Sequence, residues 1–207
     1  MVKLIAAIVP EEPYLSLIRE WQLEFNRLYG GNEVLEYPVH NTLVSVGNVC
    51  DEDSLKKVYR RVFQTAAKTK PFRMHVDGAR FHGSNEKAIG IYLDVKKTDE
   101  LQLLHNALVS ELRDLEDGSR AYKELELYSP HISVWYPDNL KELTKSACLK
   151  ENSAEMINYK DAMQHVPERK EPGWPPRFSL GVGQICLLYK AEDMNNYRIF
   201  EEFVLLA

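Results

Sequence analysis

One pattern occurs twice in this sequence, as Pro38-Val39-His40-Asn41-Thr42-Leu43-Val44 and as Pro130-His131-Ile132-Ser133-Val134-Trp135. In both stretches a histidine lies two residues before a hydroxyl side chain, within an apolar run that contains β-branched residues. Such a run is typical of a β-strand, in which residues i and i+2 point to the same face. Each stretch therefore predicts an imidazole and a hydroxyl side by side on one surface of a sheet.

The two pairs suit acid–base chemistry on a phosphate. Histidine has an ordinary pKa of about 6.5, so one ring can be neutral while another is protonated near neutral pH. Of His40 and His131, one ring can then take a proton from an attacking oxygen while the other protonates the leaving oxygen. Thr42 and Ser133 can donate hydrogen bonds to the non-bridging phosphate oxygens, where negative charge accumulates. The residues thus predict one composite site built from two separate parts of the chain.

Strand alternation also makes a prediction about the aromatic residues that follow the second pair. Trp135 is expected on the face of His131 and Ser133, which makes it a candidate for stacking on a nucleotide base. Tyr136 is expected to point the opposite way.

A third match to the tripeptide shows that the His-x-Ser/Thr spacing alone is weak evidence for a functional site. His82-Gly83-Ser84 has the same spacing, but it lies in a Gly-Ser-Asn turn rather than in an apolar strand. We therefore do not interpret His82 as a site residue. His105 lies on the leucine pattern of a predicted helix and is interpreted as structural. Only the first two matches combine the spacing with a predicted strand, which places the histidine and the hydroxyl side chain on the same face.

Composition limits the kind of ligand. The 207 residues carry a net charge of −5, whereas proteins that grip long duplexes through many phosphates are usually basic. A nucleotide or a short RNA end remains compatible. The three cysteines are scattered, which favours a reducing compartment over disulfides or a structural zinc site. Since no stretch approaches the roughly 20 apolar residues of a membrane helix, we expect a cytoplasmic protein, with the nucleus as the alternative.

The order of predicted elements indicates two α+β halves that face each other across a cleft. Periodicity predicts strands over 3–9, from the first motif to about 49, over 71–77, 88–95, 131–136, 178–189 and 198–206. It predicts helices over 13–29, from Asp51 or Asp53 onward, and over 98–115. Residues 139–165 are expected to form one or two surface helices, and 167–176 an irregular loop.

These residues resemble the two-histidine (2H) phosphoesterase superfamily, whose signature is a pair of His-x-Ser/Thr-x motifs, and most closely its RNA 2′,5′-ligase-like and cyclic nucleotide phosphodiesterase branch. The resemblance implies a single α+β domain over residues 1–207, with two pseudo-symmetric lobes of antiparallel sheet, outer helices and a central cleft. It also implies no metal and no other cofactor. By position, His40 and His131 would be the acid–base pair, and Thr42 and Ser133 the phosphate-binding residues.

Two features depart from the family pattern. Many ligase-like members have a basic residue shortly after the second motif, where this chain has Tyr136. The segment over 139–176 is also longer and more polar than a minimal member needs. Both departures concern the identity of the substrate more than the chemistry.

The leading hypothesis is a metal-independent phosphodiesterase that acts on a 2′,3′-cyclic phosphate or a 2′–5′ linkage of a nucleotide or RNA end. One alternative is a nucleotide- or RNA-end-binding module without significant turnover, and another is an RNA 2′–5′ ligase. A zinc hydrolase is the least favoured, because no metal-ligand spacing accompanies the motifs. The sequence leaves open which histidine is the acid, the base and length of the substrate, and the oligomeric state.

Overall fold

A computed structural model describes residues 2–84, 87–115, 127–137 and 176–207, with backbone alone for 82–84 and 87–89. The helices predicted over 139–165 and all but the last residue of the loop predicted over 167–176 lie outside the described residues. No helix in the described part of the chain has the length and apolar character needed to cross a membrane.

The described elements follow the predicted order closely. They are β1 (Val2–Ile8), α1 (Tyr14–Tyr29), a short 3-10 helix (Glu33–Glu36), β2 (Asn41–Val49), α2 (Glu52–Ala67), β3 (Phe72–Ser84), β4 (Lys87–Val95), α3 (Asp99–Leu112), β5 (His131–Trp135), β6 (Arg177–Val182), β7 (Gln184–Ala191) and β8 (Arg198–Val204). The stretch predicted as one strand over 178–189 is two strands, β6 and β7, and β8 follows them. Gly183 separates β6 from β7.

All eight described strands form one antiparallel sheet in the order β6-β3-β4-β5-β2-β1-β7-β8. The two expected lobes are the two halves of this sheet, one ending at β5 and the other at β2. The two strands that carry the motifs are therefore neighbours at the centre. The predicted α+β fold with an antiparallel sheet is confirmed, and its halves are joined by the β2–β5 pair.

Helix ends and helix faces have local causes. Asp51 caps α2, because its side chain accepts a hydrogen bond from the backbone N–H of Ser54 at 2.7 Å. The predicted apolar side of α3 is buried, including Leu101, Leu104 and Leu108. Burying one such side chain contributes about 1.5–3 kcal/mol. Since α3 contacts β2 and α1 contacts β5, these helices support the two central strands.

The end of α1 is fixed against the end of β5. Gly30 stops the helix with φ +72°, and its carbonyl accepts a hydrogen bond from the indole Nε1 of Trp135 at 2.7 Å. Gly31 follows with φ +87°. A Cβ at Gly31 would clash with the carbonyl oxygen of Tyr136 and come within 3.1 Å of the Trp135 indole nitrogen. Only glycine allows the chain to pass this close to β5.

We expect Gly31→Ala to destabilise the protein more than Gly30→Ala. Both substitutions place a Cβ at positive φ, which costs about 1–3 kcal/mol, but only the Cβ at position 31 meets backbone. Urea unfolding of the two variants measures the difference. Gly30→Ala is the matched control, since nothing lies within 4 Å of its Cβ. Equal losses in the two variants would show that the close approach at Gly31 is unimportant.

Candidate active site

The two motifs meet through one residue pair. Asn41 of β2 lies opposite Ile132 of β5 in the antiparallel register. Continuing this register by one residue on each side places His40 across from Ser133, and Thr42 across from His131. Cross-strand neighbours have Cβ atoms about 4.5–5.5 Å apart, less than the 6–7 Å between residues i and i+2 on a strand. The register therefore brings each histidine beside the hydroxyl residue of the other motif.

The burial pattern shows that these four residues share one face. Asn41, Leu43, Ile132 and Val134 are fully buried on the opposite side of the strand pair. His40, Thr42, His131 and Ser133 alternate with them and remain partly exposed. The side chains lie as strand alternation predicts. The local two-fold relation of antiparallel strands, centred near Asn41 and Ile132, makes the two motifs near-equivalent.

The two imidazoles are held by the same backbone contact. Nδ1 of His40 lies 2.7 Å from the carbonyl oxygen of Pro38, and Nδ1 of His131 lies 2.8 Å from that of Ser129. A carbonyl can only accept, so each Nδ1 carries the proton and donates it. This fixes the tautomer and leaves each Nε2 to act as a proton acceptor or, when protonated, as a donor. The sequence pattern does not reveal this anchor, which lies two residues upstream of each histidine.

Burial sets the protonation state of His40. Removal of water around the ring lowers its pKa below 6.5, because the charged form loses hydration. The hydrogen bond to Pro38 opposes this shift, and the charge of His131 adds to it. Near neutral pH the His40 ring is therefore neutral and can accept a proton at Nε2.

A cavity of about 140 Å³ adjoins the first motif. It is lined by His40, Thr42 and Ser133 together with Ile5, Gln22, Val34, Tyr37, Pro38 and Tyr136. His131 is not among the lining residues, and the continued register places it across the strand pair from Thr42. A larger cavity of about 480 Å³ lies between α2, α3 and the start of β3, but neither motif contributes to it. We assign the site to the smaller cavity, because it gathers the hydroxyl groups and an imidazole.

The expectation that Trp135 reaches the cleft is wrong. Its side chain is 1% exposed and donates to Gly30 from inside the core. The cause is a β-bulge: Tyr92 pairs with Ser133 and Ile91 with Trp135, so Val134 is an extra residue on β5. A bulge shifts the alternation by one residue. Trp135 therefore turns inward, and Tyr136, which was expected to point away, lines the cavity.

The two sides of the site differ in chemistry. Beside His40, the ring of Tyr37 stacks at 5.8 Å and in turn stacks on Tyr197 at 4.5 Å. Beside His131, the ring of Tyr92 makes an edge contact at 5.2 Å. Asp94, which pairs with His131 in the register, is bonded to Arg80 at 2.7 Å. The first half thus has two stacked tyrosines beside its histidine, whereas the second has one tyrosine and an ion pair.

Among the described residues, no group of three or more His, Cys, Asp or Glu side chains is arranged to hold a metal ion.

Comparison with known proteins identifies the family. The model of the 2′-5′ RNA ligase superfamily matches residues 9–166, which is most of the chain. The chain belongs to this superfamily. The resemblance to the 2H phosphoesterases drawn from the two motifs is therefore confirmed. None of the curated proteins matches the sequence.

Solved structures of similar fold align with this superfamily member over nearly its whole length. TT0787 of Thermus thermophilus has a TM-score of 0.66 at 16% identity, covering 98% of this chain and 97% of its own. LigT of Escherichia coli complexed with ATP has a TM-score of 0.59 at 16% identity, covering 99% and 98%. LigT complexed with 3′-AMP has a TM-score of 0.58 at 16% identity, with the same coverage. At these identities the likeness establishes the fold.

A buried polar layer lies behind the motifs of this superfamily member. The Tyr128 hydroxyl accepts from Nδ2 of Asn41 and donates to the carbonyl of Thr42, both at 3.3 Å. Its ring stacks face to face on His105 at 3.8 Å, and Nδ1 of His105 donates to the carbonyl of Leu43 at 2.6 Å. Tyr128 precedes the second motif by three residues. It therefore ties the approach to His131 to the strand of His40, and His105 is structural as predicted.

We expect His40 to titrate below pH 6.5, since burial lowers its pKa. At pH 7 its Nδ1 should be protonated and its Nε2 bare, and the ring should take up a proton only as the pH falls below 6.5. Long-range ¹H–¹⁵N NMR spectra report both the tautomer and the midpoint, with His40→Gln to assign the signal. A midpoint at or above 6.5, or a proton on Nε2 at pH 7, would contradict this assignment.

We expect Tyr128→Phe to lower the free energy of unfolding by about 1–3 kcal/mol, the usual cost of leaving a buried polar group unbonded. The lost hydroxyl serves both Asn41 and the Thr42 carbonyl. Urea unfolding measures the change. Tyr189→Phe is the control, because it removes a hydroxyl from a partly buried tyrosine of β7 outside this layer. A comparable loss in both variants would mean that the layer has no special role.

Proposed function

We propose that this protein is a phosphodiesterase that acts, without a metal ion, on a 2′,3′-cyclic phosphate or a 2′–5′ phosphodiester of a nucleotide or RNA end. One observation carries the proposal: two imidazoles in the same anchored tautomer flank one strand pair, each across from a hydroxyl residue. This arrangement supplies an acid, a base and two donors for phosphate oxygens. Membership of the 2′-5′ RNA ligase superfamily supports phosphodiester chemistry in general.

The lowered pKa of His40 favours the role of base for this residue. An attacking oxygen, from water or a neighbouring ribose hydroxyl, bonds to phosphorus as its proton moves to Nε2 of His40. The bond from phosphorus to the leaving oxygen breaks, and that oxygen takes the proton from Nε2 of His131. Proton exchange with water then restores both rings. Thr42 and Ser133 donate to the non-bridging oxygens during this transfer.

Tyr136 adds a neutral donor at the position where many relatives carry a basic residue. Burial raises the pKa of its hydroxyl well above 10, and the neighbouring Tyr37, Glu33 and Glu36 raise it further. The hydroxyl therefore stays protonated near neutral pH. It can donate to a phosphate oxygen but carries no charge. Among the described residues that line the cavity, none is Lys or Arg.

The ligand is a nucleotide or a short RNA end rather than a long duplex or a membrane. The net charge of −5 disfavours a broad phosphate-binding surface. The ring of Tyr37, which lines the cavity beside His40 and is backed by Tyr197, suits contact with a nucleoside. LigT, which shares the fold, forms complexes with 3′-AMP and with ATP.

We expect His40→Ala and His131→Ala each to lower turnover at least about 100-fold, because a positioned acid or base contributes roughly 10²- to 10⁴-fold. The assay follows products from 2′,3′-cyclic nucleotides, 2′–5′ oligoadenylate and 3′-ended RNA, with EDTA present throughout. His75→Gln is the control, since His75 lies in β3 and bonds to Ser179 at 2.6 Å away from both motifs. It should retain wild-type turnover.

Other outcomes separate the alternatives. Unchanged turnover in both alanine variants would refute the two-histidine mechanism. Nucleotide binding with no product from any substrate would identify a binding module. Joining of RNA ends to give a 2′–5′ linkage, with the equilibrium on the side of the joined product, would identify a ligase that uses the same site.

A further inference from the structure

Gln22 of α1 is a cavity residue that neither motif predicts. Its side chain is 2% exposed and lines the cavity with His40, Thr42 and Ser133. Its Nε2 donates to the backbone carbonyl of Ser133 at 2.8 Å. Gln22 therefore connects α1 directly to the strand of the second motif, at the residue that lies across from His40.

The orientation of the Gln22 amide follows from this bond. The carbonyl of Ser133 can only accept, so the nitrogen of the amide must face it and the oxygen must face away. Oε1 is buried and has no hydrogen-bond partner among the described residues. An acceptor left in this state costs free energy, and buried polar atoms in folded proteins are usually bonded. Among the atoms in this state, Oε1 of Gln22 belongs to a side chain that lines the cavity, so a hydroxyl of a bound ligand is a donor that would satisfy it.

The chemistry of that donor is restricted. The oxygens of a phosphodiester or a phosphate dianion only accept, so they match the hydroxyls of Thr42, Ser133 and Tyr136 but not Oε1 of Gln22. A ribose hydroxyl can donate. The cavity therefore combines hydroxyl donors with a fixed amide acceptor, besides the acceptor nitrogen of His40, which matches a phosphate that has a free hydroxyl beside it on the sugar.

We propose that Gln22 is a specificity-determining residue whose Oε1 accepts a hydrogen bond from the free ribose hydroxyl next to the phosphate of a bound 2′- or 3′-phosphorylated ribonucleotide, the product formed when water opens a 2′,3′-cyclic phosphate. The proposal rests on the proposed function, because it takes the phosphate of a nucleotide to lie at His40 and His131. It adds a reason for ribose to be preferred over deoxyribose, since a sugar without that hydroxyl leaves the buried oxygen unbonded.

Two matched ligand pairs test the proposal by calorimetric titration. The first pair is 3′-AMP and its 2′-deoxy analogue, and the second is 2′-AMP and its 3′-deoxy analogue. Within a pair the phosphate and base are the same, so the ratio of dissociation constants isolates the hydroxyl. We expect the wild type to bind the ribonucleotide about tenfold more tightly in at least one pair, as expected for one hydrogen bond to a buried acceptor.

Variants assign the preference to Gln22. Gln22→Met keeps the length of the side chain and removes the acceptor, so the ratio should fall to about one. Gln22→Glu keeps an oxygen, so it should keep a ratio above one although both ligands bind more weakly. Gln102→Met is the matched control, because Oε1 of Gln102 is also buried without a described partner but lies outside the cavity. It should keep the wild-type ratio.

The outcomes distinguish this proposal from the proposed function. A ratio near one in both pairs for the wild type would mean that water satisfies Oε1, which overturns the proposal and leaves the phosphodiesterase intact. A preference that survives in Gln22→Met would also overturn it. If the wild type neither binds these nucleotides nor cleaves the cyclic and 2′–5′ substrates, both proposals are wrong. If Gln22→Met does not fold by circular dichroism, Gln22→Leu, which also lacks the acceptor, takes its place and should give the same ratio of about one.

Discussion

The pairing of Asn41 with Ile132 sets the geometry on which the site depends. This pair joins the two halves of the sheet, and its antiparallel register places His40 across from Ser133 and Thr42 across from His131. The side chains of Asn41 and Ile132 face the core, so the neighbouring residues must face the cleft. A shift of one residue in this register would move both histidines into the core. Tyr128 and His105 hold the same strands from behind.

Patterns of neighbouring residues in the sequence were sufficient to predict which side chains share a face in the motifs and in α3. The period of two in each motif placed the histidines and hydroxyls on one face, and the leucine spacing predicted the buried side of α3. Asp51 could be named as a possible cap because capping depends on neighbouring residues. These features depend on residues close together in the chain, which is why the sequence contains them.

The parts that could not be predicted depend on distant contacts. The bulge at Val134 arises from pairing with β4, and it exchanges the places of Trp135 and Tyr136. Gln22 reaches the site only because α1 packs beside β5, and no motif marks it. The shared anchoring of the two imidazoles follows from loop geometry at Pro38 and Ser129. Proline near each histidine is the one signal in the sequence that hints at similar loops.

The neutral lining of the cavity changes how charge enters the site. Its hydroxyl donors carry no charge, and Arg80 on the second half is already bonded to Asp94. Under the proposed function, a proton on an imidazole is one source of the positive charge that meets a phosphate. Binding of an anion by a protonated imidazole involves proton uptake from solution, so the affinity would depend on pH. The pH of the solution then sets how much positive charge an imidazole can present to a phosphate in this cavity.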